Sequence, residues 1–207
     1  MTDEEADGPD DLARHASKMA KKKAARDKIM ATKTDERGLI IVHTGKGKGK
    51  STAAFGMIFR HIAHGMPSAV VQFIKGEQLS GEEIYLREHC PQVTFYQMGT
   101  GFTWDTQDRS ADIAAAEKTW AVAKPLLADA SYDVVVLDEL TYMIAYKYLD
   151  EGEILEAIAS RPVNQSVVVT GRGGGSALQD IMDTVSEVKD IKHAYAAGIK
   201  ARKGVDY

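Results

Sequence analysis

The stretch Leu39-Ile40-Ile41-Val42-His43-Thr44-Gly45-Lys46-Gly47-Lys48-Gly49-Lys50-Ser51 decides the fold. Its apolar opening, 39–42, reads as a strand buried on both faces. Residues 45–51 alternate glycine with lysine and end in Gly-Lys-Ser at the mouth of a helix-like segment, 52–64. A buried strand, a glycine-rich turn and a helix start make a phosphate-binding loop. The glycines let backbone N–H groups curl around phosphate oxygens, and the helix N-terminus adds a favourable dipole. In that reading Lys50 neutralises phosphate charge and the Ser51 hydroxyl ligates Mg2+. The spacing is unusual. Three residues separate Gly45 from Gly49, where the common pattern has four. A loop one residue short does not presume ordinary phosphoryl-transfer geometry.

Outward from this loop the chain alternates strands and helices. Strands are predicted at 39–42, 69–74, 93–97, 134–137 and 167–170. Helices are predicted at 50–64, 81–89, 109–128, 140–148, 153–159 and 176–182. The first, fourth and fifth strands are nearly continuous apolar runs. The pattern predicts an α/β fold, a mainly parallel sheet flanked by helices on both faces. Ligands in such sheets sit beyond the carboxyl ends of the strands, where the loops rich in glycine and charge fall.

Three of those loops carry chemistry. The run Tyr132-Asp133-Val134-Val135-Val136-Leu137-Asp138-Glu139 ends an apolar strand in two carboxylates. Hard carboxylate oxygens suit Mg2+ in the company of phosphates and water. Asp138 or Glu139, opposite Ser51, would hold that ion, and two adjacent acids leave room for a water-activating base. Gly99-Thr100-Gly101-Phe102-Thr103-Trp104 follows the third strand. Its aromatics either plug the core edge or pack against a flat ligand. Thr170-Gly171-Arg172-Gly173-Gly174-Gly175 follows the fifth. Arg172 either forks onto a phosphate or carboxylate, or stands on a surface turn.

The composition is ordinary for a soluble globule. The chain has 207 residues, enough for one domain with a proper core, and 44% are hydrophobic. No apolar run approaches the ~20 residues of a membrane helix, and no secretory leader is evident, so the sequence predicts a cytoplasmic protein without membrane contact. The single Cys90 reads as a structural thiol. His61 and His64 lie three apart without a visible third ligand and read as non-metal residues. A net charge of −4 gives no global nucleic-acid footprint. Charge is uneven at the start. Residues 3–11 hold six acids and no base, whereas 14–37 hold nine Lys or Arg and three acids. Within 12–30, Leu12, Ala16, Met19, Ala20 and Ile29 or Met30 allow a weakly amphipathic basic helix. The expected organisation is an extension, 1–37, partly disordered, before one domain, 38–207.

The motifs together resemble one family. The loop 45–51 with Thr52-Ala53-Ala54-Phe55-Gly56 comes first, then Gln72-Phe73-Ile74-Lys75-Gly76 and Met98-Gly99-Thr100-Gly101-Phe102-Thr103-Trp104. Leu137-Asp138-Glu139-Leu140-Thr141-Tyr142, Thr170-Gly171-Arg172-Gly173 and the ending Gly204-Val205-Asp206-Tyr207 follow in order. This series is similar to the ATP:corrinoid adenosyltransferases of P-loop type, over 38–207. Gly174-Gly175-Ser176 departs from the more polar or proline-bearing turn of relatives. The resemblance implies a RecA-like P-loop fold and a reaction in which corrinoid Co(I) attacks the ribose C5′ of ATP and triphosphate leaves. It implies ATP contacts from Gly45, Lys46, Gly47, Lys48, Gly49, Lys50, Ser51, Thr52, Arg60 and Arg172. It implies Mg2+ on Ser51, Glu139 and Asp138, with Lys50 and Glu139 catalytic. Phe102 and Trp104 would lie under the corrin and displace a lower axial ligand, easing reduction of cobalt. A homodimer, an electron-donating reductase or flavoprotein and a corrinoid-covering N-terminal helix are also implied. A RecA-like ATPase and a nucleotide-gated corrinoid carrier are the competing readings.

Overall fold

A computed structural model describes residues 9–74, 79–99 and 108–207. The chain divides into two units, Met1–Glu36 and Arg37–Tyr207. In the first, helix α1 spans Pro9–Met30, with Asp10 and Asp11 in its first turn and Lys28 in its last, charges that suit the helix dipole.

The second unit is built on six strands: β1 Ile40–Thr44, β2 Ser68–Gln72, β3 Val93–Gln97, β4 Val134–Asp138, β5 Ser166–Thr170 and β6 Thr184–Glu187. They form one sheet in the order β3-β2-β4-β5-β1-β6, and every pairing is parallel. Its helices are α2 Lys50–Ala63, α3 Gly81–His89, α4 Arg109–Ala128, α5 Leu140–Ala145, α6 Glu151–Ala159 and α7 Gly175–Asp180.

Alternation along the central strands divides the apolar residues between two cores. Val135 and Leu137 of β4, with Val167 and Val169 of β5, pack on one face with Trp120, Leu127, Met143, Ile154 and Leu178 from α4 to α7. Val134 and Val136, with Val168, pack on the other with Phe55, Ile58 and Leu86 from α2 and α3. This is the expected α/β fold with helices on both faces, and it explains why these strands read as unbroken apolar runs.

Strand β6 escapes the sequence reading. Its residues Thr-Val-Ser-Glu are largely exposed, and it pairs on one side only, with Ile41 opposite Thr184 and Thr44 opposite Glu187. An edge strand buries little, so it carries no apolar run. The helix expected at 176–182 is Gly175–Asp180, and the one expected at 140–148 stops at Ala145.

Candidate active site

The phosphate loop leaves β1 at Thr44 and enters α2 at Lys50. It lies against the segment that follows β6. Val188 N–H donates to Thr44 O (2.8 Å), and Gly47 N–H donates to Val188 O (2.8 Å). A Cβ on Gly47 would stand 2.6 Å from Lys189 O, so only glycine fits this approach. The bond to Val188 also commits Gly47 N–H.

Helix caps mark where backbone N–H groups stay open. Ser80 accepts from Glu83 N–H, Asp108 from Ser110 and Ala111 N–H, and Asp150 from Glu153 N–H, so α3, α4 and α6 each start with a side-chain cap. Helices α2, α5 and α7 start beside the loop and have none. Their cap positions are Gly49, Glu139 and Gly174, all at positive φ. At the mouth of α2 the first amides are thus available to an anion.

Lys50 is buried, and its Nζ donates to Gly47 O at 2.7 Å. Burial pulls its pKa down, while Glu139 pushes it back up. Ser51, the next residue, is partly exposed at the helix mouth.

Opposite stands the end of β4. Asp138 is 3% exposed, and both of its oxygens are engaged. Thr170 Oγ1 donates to Oδ1 (2.6 Å) and Gln72 Nε2 donates to Oδ2 (3.0 Å). Thr170 Oγ1 also accepts from Glu139 N–H (2.9 Å), so Asp138 orients Glu139 through one hydroxyl. Glu139 has φ 60°, a left-handed backbone that costs a non-glycine residue about 1 kcal/mol or more. Its Oε2 is buried without a hydrogen-bond partner. Burial first, and the neighbouring Asp138 second, raise its pKa to about 7, against the pull of Lys50 and Arg172. Among the described residues no three His, Cys, Asp or Glu side chains converge as a metal cage. A Mg2+ shared with phosphates needs only one or two protein ligands, and the orphaned Glu139 oxygen fits that need.

The loop after β5 closes the same site. Gly171 runs so close to Thr141 Oγ1 that a Cβ would collide with it. Thr141 Oγ1 donates to Arg172 O (3.1 Å), and Thr44 Oγ1 donates to Gly173 O (3.0 Å). These bonds tie the Arg172 loop to β1 and α5. Arg172, Lys46, Thr44 and Glu187 line a cleft of about 770 Å3. A smaller cleft of about 210 Å3 is lined by Ser51, Thr52, Gln72, Asp138, Asp206 and Tyr207.

The structure thus brings together Gly45, Lys46, Gly47, Lys48, Gly49, Lys50, Ser51, Thr52, Asp138, Glu139 and Arg172. Arg60 is exposed in the last turn of α2, about 15 Å along the axis from the helix mouth, and is not brought to the loop within one chain. Phe102 and Trp104 lie outside the described residues. Sequence reasoning missed Gln72 and Thr170 as anchors of Asp138, and Asp206 beside Lys48. Quoted motifs held all three, but nothing in a motif says which side chain another will bond. It also missed His43, whose buried Nε2 has no hydrogen-bond partner and whose pKa is lowered by burial.

Comparison with known proteins adds the family. The model of the ATP:corrinoid adenosyltransferase BtuR/CobO/CobP family matches residues 36–207, and that of the cob(I)alamin adenosyltransferase N-terminal segment matches residues 1–30. A corrinoid adenosyltransferase of Sinorhizobium sp is 55% identical over 98% of this chain and 96% of its own length. Those of Pseudomonas aeruginosa and Escherichia coli K12 are 49% and 50% identical, over 97% and 94% of this chain and 99% and 98% of theirs. A solved structure of the RadB recombinase gives a TM-score of 0.42 at 14% identity, over 76% of this chain and 77% of that one, a likeness too slight to bear on function.

Proposed function

Because the chain belongs to the ATP:corrinoid adenosyltransferase family, we propose that the loop 45–51 holds the triphosphate of ATP as a leaving group. The acceptor is the cobalt of a reduced corrinoid. Co(I) supplies the electron pair, a Co–C5′ bond forms as the C5′–O bond breaks, and triphosphate departs with the bonding pair.

One observation carries the assignment of roles. A buried lysine and an uncapped helix mouth face a buried carboxylate that lacks a partner. The first two stabilise a departing polyanion, and the third calls for a cation. In a water-poor site such preset charges act strongly on the transition state. Lys50 and the amides of α2 take the triphosphate, with Lys46, Lys48, Thr52 and Arg172 around it. Ser51 and Glu139 would hold Mg2+ directly. Asp138 would act behind Glu139, because its own oxygens already accept from Gln72 and Thr170. Mg2+ bound there would supply positive charge to the leaving oxygen.

A kinase stabilises charge on a transferring γ-phosphoryl group. Here charge grows at the α end of the whole triphosphate, and the shortened loop, with Gly47 N–H withdrawn to Val188, is consistent with that difference. The reading extends to a cytoplasmic homodimer served by an electron-donating reductase or flavoprotein, since Co(I) must be made before it attacks. Phe102 and Trp104 would assist that reduction from beneath the corrin.

The test is incubation with ATP, Mg2+ and chemically reduced cobalamin. Triphosphate should appear in step with the adenosylated corrinoid in the visible spectrum. Corrinoid-independent release of ADP and orthophosphate as the main reaction would overturn the reading.

A further inference from the structure

The phosphate loop carries lysines at alternate positions, and the fold gives each a different neighbour. Lys50 turns inward onto Gly47 O. Lys46 faces the larger cleft beside Arg172. Lys48 keeps 54% of its side chain exposed and is ion-paired with Asp206, whose side chain is 21% exposed. These two residues are 158 apart in sequence, so this contact is made by the tertiary fold.

Asp206 is held for that contact. Its Oδ2 accepts from Arg202 N–H (2.8 Å), and its own N–H donates to Arg202 O (2.8 Å). Gly204 N–H donates to Tyr207 O (2.7 Å) across the same turn. The turn borders α2 and α3, sharing a cleft with Thr52, Phe59, Glu82 and Tyr85. Asp206 and Tyr207 also line the cleft that contains Ser51 and Asp138. The turn at 202–207 is thus a wall of the candidate active site.

We propose that Asp206 is a positioning residue that fixes Lys48 on the triphosphate. This rests on reading the loop 45–51 as the triphosphate site. A lysine ammonium has three donors and a flexible four-carbon stem. Asp206 takes one donor and limits the stem, leaving two for an anion at the loop mouth. A carboxylate so near a polyanion would otherwise only repel it, so its placement on Lys48 is informative.

The test measures binding of inorganic tripolyphosphate to the full chain by calorimetry, together with steady-state kinetics. Asp206→Ala should weaken tripolyphosphate about 5- to 10-fold, the cost of reordering one long side chain. The loss should fall on KM for ATP rather than on kcat, and Asp206→Glu should recover part of it. In a Lys48→Ala background, Asp206→Ala should add no further loss. Unchanged or tighter binding in Asp206→Ala would overturn the proposal, as would an equal loss with and without Lys48, which would make the turn a structural prop. If Lys50→Ala binds tripolyphosphate as well as the unaltered chain does, the phosphate reading itself fails, and the proposal with it.

Discussion

Glu139 concentrates the conflict between stability and function in one residue. A backbone at φ 60° and a buried oxygen without a partner both destabilise the empty protein. The sign of its pH dependence follows. The unfolded carboxyl ionises near its ordinary value of 4.5, whereas the folded one is raised to about 7. Between those values the folded state binds the extra proton, so stability is fully present below 4.5 and falls as pH rises through 7. The loss approaches about 3 kcal/mol at high pH. Glu139→Gln removes the ionisation and keeps the shape. Without nucleotide, the variant should melt several degrees above the unaltered protein at pH 8 and show little such advantage at pH 4.5. Melts that differ by one constant offset at all pH values would refute this account. The same variant should show weaker Mg2+ dependence of turnover. Lys50→Ala should cost at least ~100-fold in turnover, as the loss of one strong donor to the leaving group. Near-normal kinetics in that variant would move the triphosphate elsewhere. Lys50, Ser51 and Glu139 were legible in sequence because each follows a strand with its own apolar signature. Thr170 and Gln72, which hold Asp138, were not. Hydrogen bonds between neighbouring strands depend on sheet order, and sequence alone does not state that β4 lies between β2 and β5.

At the scale of elements, the phosphate loop and the segment after β6 form one unit. The loop was legible and β6 was not, for opposite reasons. Glycine and lysine in alternation are rare enough to be a signature. A polar edge strand looks like any surface turn until the β1 backbone pairs with it. Two glycines separate close approach from mere helix composition. Gly47 packs against Lys189 O, whereas Gly56, inside α2, has nothing within 4 Å of a would-be Cβ. Gly47→Ala should therefore destabilise by about 1–3 kcal/mol through overpacking and raise KM for ATP. Gly56→Ala should stabilise by about 0.5–1 kcal/mol through better helix propensity, leaving KM for ATP in place. Denaturant midpoints and ATP kinetics of the two variants check this. Equal shifts in the same direction would mean that the loop does not need its approach to the segment after β6.

The whole molecule divides at Glu36, and the division sets where a truncation has to stop. Arg37 forks onto Asp183, with Nη1 and Nη2 at 2.8 and 2.5 Å from its carboxylate oxygens, and holds that carboxyl down to about 2. Asp183 also accepts from Ile40 N–H (2.8 Å), so this pair secures the start of β1. A cut after Arg37 would remove a clamp of the phosphate-loop strand, and a cut after Glu36 would keep it. The sequence reading placed the boundary after 37 because the alternation of strands and helices begins there. Helix α1, by contrast, is basic and only weakly amphipathic, a composition that gives a helix little reason to form for its own sake. Its segment nevertheless matches an adenosyltransferase N-terminal model. The resemblance implies that this helix covers the corrinoid, and truncation tests that expectation. Removing residues 1–36 should leave a folded domain with KM for ATP within ~2-fold, since the loop and its supports are intact. KM for the corrinoid should rise roughly 5-fold or more, as a large ligand loses part of its enclosure. Full-length protein carrying Arg37→Ala gives the control: it should lose stability while keeping its corrinoid KM. If the truncated domain folds and its corrinoid KM is unchanged, α1 does not cover the corrinoid, and the adenosyl transfer belongs to Arg37–Tyr207 alone.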